Sequence, residues 1–184
     1  MMQEAIIEEL EQSMRRTIES LKKDLDTVSV GRAVPSLLDS IKVDSYGSIT
    51  PLNRISNITV ADSNVLFVQV WDRGLLSVVE KAIQNANLGF NPQVEANGIR
   101  IIVPKLSEER RKELCKIVKR YGEDKKISLR NERKNANESL KKLKGTISED
   151  QIKECENRVQ KITDRYSQKV DEMAEEKNKL LMTY

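Results

Sequence analysis

The stretch Ser128–Ile162, SLRNERKNANESLKKLKGTISEDQIKECENRVQKI, decides the fold. Before Gly145, Leu129, Ala136, Leu140 and Leu143 recur at helical spacing; after it, Ile152, Cys155, Val159 and Ile162 do the same. Gly145 is a helix stop. Ser148-Glu149-Asp150-Gln151 is a capping box, in which a serine hydroxyl and a glutamine amide each satisfy a free backbone N–H of the next helix. Two amphipathic helices joined by so short a turn must lie antiparallel.

The same patterns extend outward. Upstream, Leu114, Val118 and Tyr121 continue the first seam back to Ser107, an N-cap followed by Glu108 and Glu109, whose charges complement the helix dipole. Gly122 interrupts this helix as a place where it could bend. Downstream, Tyr166, Val170 and Met173 prolong the second seam, with Leu180 expected to rejoin it further on. At the other end of the chain, residues 2–29 place Ile7, Leu10, Met14, Ile18, Leu21, Leu25 and Val28 at alternating steps of three and four. Gly31 and Pro35 end that helix. Three helices with one apolar seam each must bury those seams against one another, which predicts an antiparallel three-helix bundle.

Residues 31–104 have a different character. They hold all four prolines (Pro35, Pro51, Pro92 and Pro104) and five of the seven glycines. Short β-rich runs occupy 41–45, 58–60, 65–71 and 99–103, with a hairpin turn at Tyr46-Gly47-Ser48. Leu75 to Ala86 reads as a helix. The expected class is therefore α+β. A bundle of residues 1–30 and 105–184 carries an inserted β/α/β domain at 31–104. Two chain crossings join the domains, at Gly31, Arg32, Ala33, Val34 and Pro35 and at Val103 and Pro104. A double crossing with a proline on each strand predicts a hinge of limited freedom.

Composition narrows the chemistry. The chain lacks histidine, the commonest general base and zinc ligand, and Cys115 and Cys155 are not spaced as a metal or redox pair. They are expected to be reduced thiols in a helical core. Phosphate loops and serine-centred elbows are absent. Asp62 and Asp72 are read as turn and strand-end residues rather than a carboxylate pair, and Trp71 as a core or domain-face residue. No metal, cofactor or small-molecule substrate is expected; chemistry by Asp, Glu, Lys or Tyr stays open, but the case for an enzyme falls. No apolar run approaches the length of a membrane span. The acidic N-terminus enters a helix directly, so a cytoplasmic protein is expected.

Charge is unevenly distributed. The net charge is only +3, yet residues 105–144 carry 15 basic groups against 7 acidic ones. At roughly 100° per residue, Lys112, Lys119, Lys126, Arg130, Arg133, Lys134, Asn137, Lys141 and Lys144 fall in one sector about 100° wide. Only Glu108 and Glu123 share it. Such a segregated row on a rigid helix suits the backbone of structured nucleic acid. With almost no aromatic residues on it, stacking on unpaired bases is not favoured.

The chain also resembles the ribosome recycling factor family. The matching pieces, in order, are Gly31–Asp39, Tyr46–Leu52, Asp72-Arg73, Val79–Ile83, Leu88–Pro92, Leu106–Lys112 and Ile147–Asp150. The resemblance implies an L-shaped two-domain protein that binds the post-termination ribosome through large-subunit rRNA. It further implies that, with elongation factor G and GTP hydrolysis, the protein helps separate the subunits and performs no covalent chemistry itself. The family's rRNA-contacting arginines correspond to Arg130 and Arg133. Where the family pattern is Arg-Asn-x-Arg-Arg-Asp-Ala-Asn, this chain has Arg130-Asn131-Glu132-Arg133-Lys134-Asn135-Ala136-Asn137, and Val34 replaces a usual serine. A monomer is expected, because three seams can satisfy one another within one chain. The competing expectations are a non-ribosomal basic scaffold or RNA-binding bundle and, with least support, an enzyme in the insertion.

Overall fold

The computed structural model describes residues 1–183. The chain forms two compact units, Met1–Val28 with Lys112–Thr183, and Ser29–Arg111.

The first unit is helical. Helix α1 spans Met2–Asp26, α3 spans Glu108–Lys141 and α4 spans Glu149–Thr183, with α2 (Leu76–Asn85) lying in the other unit. The seams are buried as the spacing requires: Ile7, Leu10, Met14, Ile18, Leu21 and Leu25 from α1, Leu114, Val118, Leu129, Ala136 and Leu140 from α3, and Ile152, Cys155, Val159, Tyr166 and Val170 from α4. Side-chain bonds between the helices give their directions. Arg158 of α4 forks onto both carboxylate oxygens of Glu4 at 2.7 and 3.1 Å, and Arg165 reaches Glu11 at 2.5 Å. Both numbers rise by seven, so α1 and α4 run parallel. Lys125 to Ser20 and Thr17 to Glu132 run the opposite way, so α3 is antiparallel to both.

Local chemistry sets the helix starts. Ser148 Oγ accepts from the Gln151 N–H at 3.3 Å while Gln151 Oε1 accepts from the Ser148 N–H at 3.2 Å, completing the capping box. Ser107 Oγ accepts from the Arg110 N–H. Helix α3 runs unbroken through Gly122, which is buried opposite Val170 and Ala174 of α4. One expectation needs correction at the end of α4. Leu181, not Leu180, is the buried residue, and Leu180 is 44% exposed. The buried Thr163, which returns its hydroxyl to the Val159 carbonyl at 2.8 Å, also joins the seam.

In the second unit, β1 (Lys42–Ser45) and β2 (Ser48–Pro51) form a hairpin. Strands β3 (Ser56–Asp62), β4 (Val65–Val70), β5 (Asn91–Glu95) and β6 (Gly98–Ile102) form an antiparallel sheet in the order β3-β4-β6-β5. Alternation puts Leu66, Val68, Ile99 and Ile101 in the core with Val79 and Ile83 of α2 (Leu76–Asn85). Strand β5 has no counterpart in the sequence reading. It is polar apart from Pro92 and Val94, and it lies at the sheet edge, where a proline is tolerated. Trp71, expected in the core or on a face, is 67% exposed.

Candidate nucleic-acid interface

The site begins with the setting of α3. Its core direction faces inward at Leu129, Ala136 and Leu140. On one flank it meets α1, through Lys125 to Asp24 at 3.2 Å and Thr17 to Glu132 at 2.6 Å. On the other flank it meets α4, through Lys126 to Asp171 at 2.5 Å and Arg133 to the Gln160 carbonyl oxygen at 3.3 Å. The remaining arc faces outward.

These neighbours divide the row read from the sequence. Lys126 and Arg133 lie at about 60° and 40° from the core direction, the edge against which α4 packs. Lys126 is half-buried in its ion pair, and Arg133 shares Gln160 with Asp164, which accepts from Gln160 Nε2 at 2.8 Å. Asn137 is half-buried as well, with its carbonyl oxygen covered and unpartnered among the described residues. Further round the helix, Lys112, Lys119, Arg130, Lys134 and Lys141 are all exposed. Of these, Lys134 has a loose contact with Glu138 at 3.9 Å, too exposed to hold it. Lys144 is exposed in the turn that follows α3.

Lys116 belongs with this outward group and was missed. It is exposed and shares the angle of Lys134, about 140° from the core direction, so the same phase count contains it. Arg120 is exposed a little beyond. Of the departures from the family pattern, only Lys134 lies on the outward face. Glu132 and Asn135 line a groove of about 150 Å³ against Glu9, Leu10 and Ser13 of α1.

The crossing segments are fixed within the small unit. The Ala33 N–H donates to the Ser63 carbonyl at 2.9 Å and the Val103 N–H to the Asn64 carbonyl at 2.7 Å. Gly31 has φ +74°, and a Cβ there would lie 3.1 Å from the Leu106 side chain. Ala33 and Val103 are buried, while Val34 is extended and leads into a 3-10 turn at Pro35. Beside them, Arg32, Lys105 and Arg111 line a cavity of about 380 Å³, and the Arg111 Nε is buried without a partner among the described residues. Separation along the chain hides this convergence from any local reading.

The acidic candidates have structural roles. Asp72 accepts from the Gly74 N–H at 2.9 Å and from the Tyr46 hydroxyl at 2.6 Å, and Asp62 accepts from the Ser63 N–H at 2.7 Å. The Tyr46 hydroxyl, and secondarily the Gly74 N–H, hold the Asp72 carboxyl below the usual carboxylate range. Both cysteines are free; burial pushes the Cys155 thiol upward. No group of three or more potential metal ligands occurs among the described residues, and no described helix is long and apolar enough to cross a membrane.

A family model described as ribosome recycling factor matches residues 21–182. The ribosome-recycling factor of Clostridium acetobutylicum is 46% identical over 180 residues, covering 97% of each chain. That of Ralstonia pickettii is 46% identical over 175 residues, covering 94% of each. A solution structure of the ribosome recycling factor aligns over 100% of this chain and 99% of its own, with TM-score 0.85 and 36% identity. A model of the T. thermophilus ribosome recycling factor, with E. coli elongation factor G on the E. coli post-termination complex, aligns over 98% of this chain and 99% of its own, with TM-score 0.67 and 39% identity.

Proposed function

Since the chain belongs to the ribosome recycling factor family, we propose that it binds post-termination ribosomes and, with elongation factor G and GTP hydrolysis, drives their separation into subunits. The observation that supports a specific mode of action is the outward row on α3. Lys112, Lys116, Lys119, Arg130, Lys134 and Lys141 share one exposed face of a 34-residue helix. Cations so arranged attract phosphate oxygens and release counterions, giving salt-dependent affinity for structured RNA. Large-subunit rRNA is the partner in this reading. Arg133 and Lys126 stand at the margin, where α4 positions them, and the half-buried Asn137 lies on the same edge. The cavity of Arg32, Lys105 and Arg111 offers a second place for a backbone phosphate.

The small unit is the moving part in this proposal. With Ala33 and Val103 buried in its core, bending falls on the residues flanking Gly31 and Pro104 rather than within the sheet. The chain acts as a monomer, and no bond is made or broken on it. It works in the cytoplasm, where ribosomes are recycled. The test is subunit release from purified post-termination ribosomes with translocase and GTP. Release should accelerate when the chain is added; equal rates with and without it would overturn the proposal.

A further inference from the structure

Resting on the reading of α3 as the RNA-binding helix, we infer that Gln160 of α4 is a positioning residue. It keeps the Arg133 guanidinium out of an ion pair with Asp164 and holds it ready for an RNA phosphate. The register of the two helices carries the argument. Helices α3 and α4 run antiparallel, so a step of one heptad up α3 matches a step of one heptad down α4. Lys126 meets Asp171 directly, at 2.5 Å. One heptad on, the same register sets Arg133 opposite Asp164. There a relay stands where the ion pair would be. Arg133 Nη1 donates to Gln160 Oε1 at 3.3 Å, and Gln160 Nε2 donates to Asp164 Oδ1 at 2.8 Å.

Donor and acceptor chemistry fixes the amide between them. A guanidinium offers only donors and a carboxylate only acceptors, so the amide turns its oxygen to Arg133 and its nitrogen to Asp164. A glutamine–aspartate bond one helical turn apart is ordinary on a helix surface. This one differs because its other end crosses to a cation of the facing helix. The consequence is electrostatic. Lys126 is neutralised by the carboxylate it touches, so it has little charge left for a phosphate. Arg133 is bonded to a neutral group and keeps its charge. One of its five N–H donors is engaged, which leaves the others for a phosphate fork. Of two successive heptad layers, one ties α3 to α4 and the other presents a cation at the edge of the basic face.

The experiment measures affinity of the full chain for purified bacterial large ribosomal subunits across a salt series. The variants are Arg133→Ala, Gln160→Met, Asp164→Asn, Gln160→Met/Asp164→Asn and Arg133→Ala/Gln160→Met. Circular dichroism and thermal unfolding establish that each is folded. Arg133→Ala should weaken binding and lower the salt slope by about 1. Gln160→Met alters no charge, yet it should weaken binding about five- to tenfold and lower the slope likewise, because Asp164 then takes Arg133. Adding Asp164→Asn should restore the slope, whereas Asp164→Asn alone should leave it at the wild-type value. Gln160→Met should add nothing to Arg133→Ala. If Arg133→Ala weakens binding and Gln160→Met does not, the inference fails and the RNA contact of Arg133 stands. A loss from Gln160→Met that persists beside Arg133→Ala also overturns it. So does an equal gain from Asp164→Asn with and without Gln160, since Asp164 would then act only by long-range repulsion. If Arg133→Ala changes nothing, the RNA reading of Arg133 fails, and Gln160 has nothing to position.

Discussion

At the scale of single residues, backbone geometry makes the firmest demands. A Cβ on Gly98 would lie 2.3 Å from the Val68 carbonyl oxygen and 2.9 Å from the Phe67 ring. Strand β4, paired on both sides, cannot retreat. Gly98→Ala should therefore destabilise the small unit by about 2–4 kcal/mol in chemical denaturation. The Tyr46–Asp72 bond is a gentler case, since Tyr46 is 79% exposed and water screens it. Each partner perturbs the other. Asp72 is held low and the Tyr46 phenol is raised by the carboxylate it donates to. A depressed carboxyl stabilises above its unfolded pKa, and the benefit is lost as pH falls through the folded value. A raised phenol stabilises below its unfolded pKa, and the benefit is lost as pH climbs through the folded one. The bond thus works between the ordinary carboxylate and phenol ranges, about 4 to 10. In an NMR titration, Tyr46→Phe should move the Asp72 midpoint upward; an unmoved midpoint would mean the hydroxyl is not its cause.

At the scale of elements, helix seams and caps were legible because they are local and periodic. The capping box at Ser148 and the burial of Ile7 through Leu25 follow from spacing alone. Strand β5 was not legible, because an edge strand can be polar and can carry Pro92 without offending its ladder. Nor could a helical wheel say which cations would be occupied. It grouped Lys126 with Arg130, and only the position of α4 reveals Asp171 beside Lys126. Leu180 and Leu181 are adjacent and equally apolar, so their order on the seam depends on packing near the helix end. Gly122 shows how a local rule can mislead. It suggests a bend, yet α3 is continuous, and an added Cβ would sit 3.7 Å from Ala174, an ordinary contact. Gly122→Ala should thus raise stability by about 0.5–1 kcal/mol through helix propensity, read as a higher melting temperature. A lower one would mean that the seam between α3 and α4 has no room for the methyl group. Ser148→Ala should cost about 1 kcal/mol by removing the cap.

At the scale of the whole molecule, the chain divides into a helical unit that carries the exposed cations of α3 and a small sheet unit built around its own core. All three helical seams are buried within one chain, so sedimentation should show a monomer at micromolar concentration; a dimer would mean that a second apolar face is in use. In the proposed mode of action, the outward cations of α3 hold the ribosome while subunits separate. Its most direct measurement is the rate of subunit release from post-termination ribosomes with elongation factor G and GTP, comparing wild type with the double variant Arg130→Ala/Lys134→Ala. Both side chains are exposed and the bundle does not depend on them. A fully folded variant with release slowed at least tenfold, and the rate regained as salt is lowered, is the expected result. Release at the wild-type rate across the salt series would contradict it.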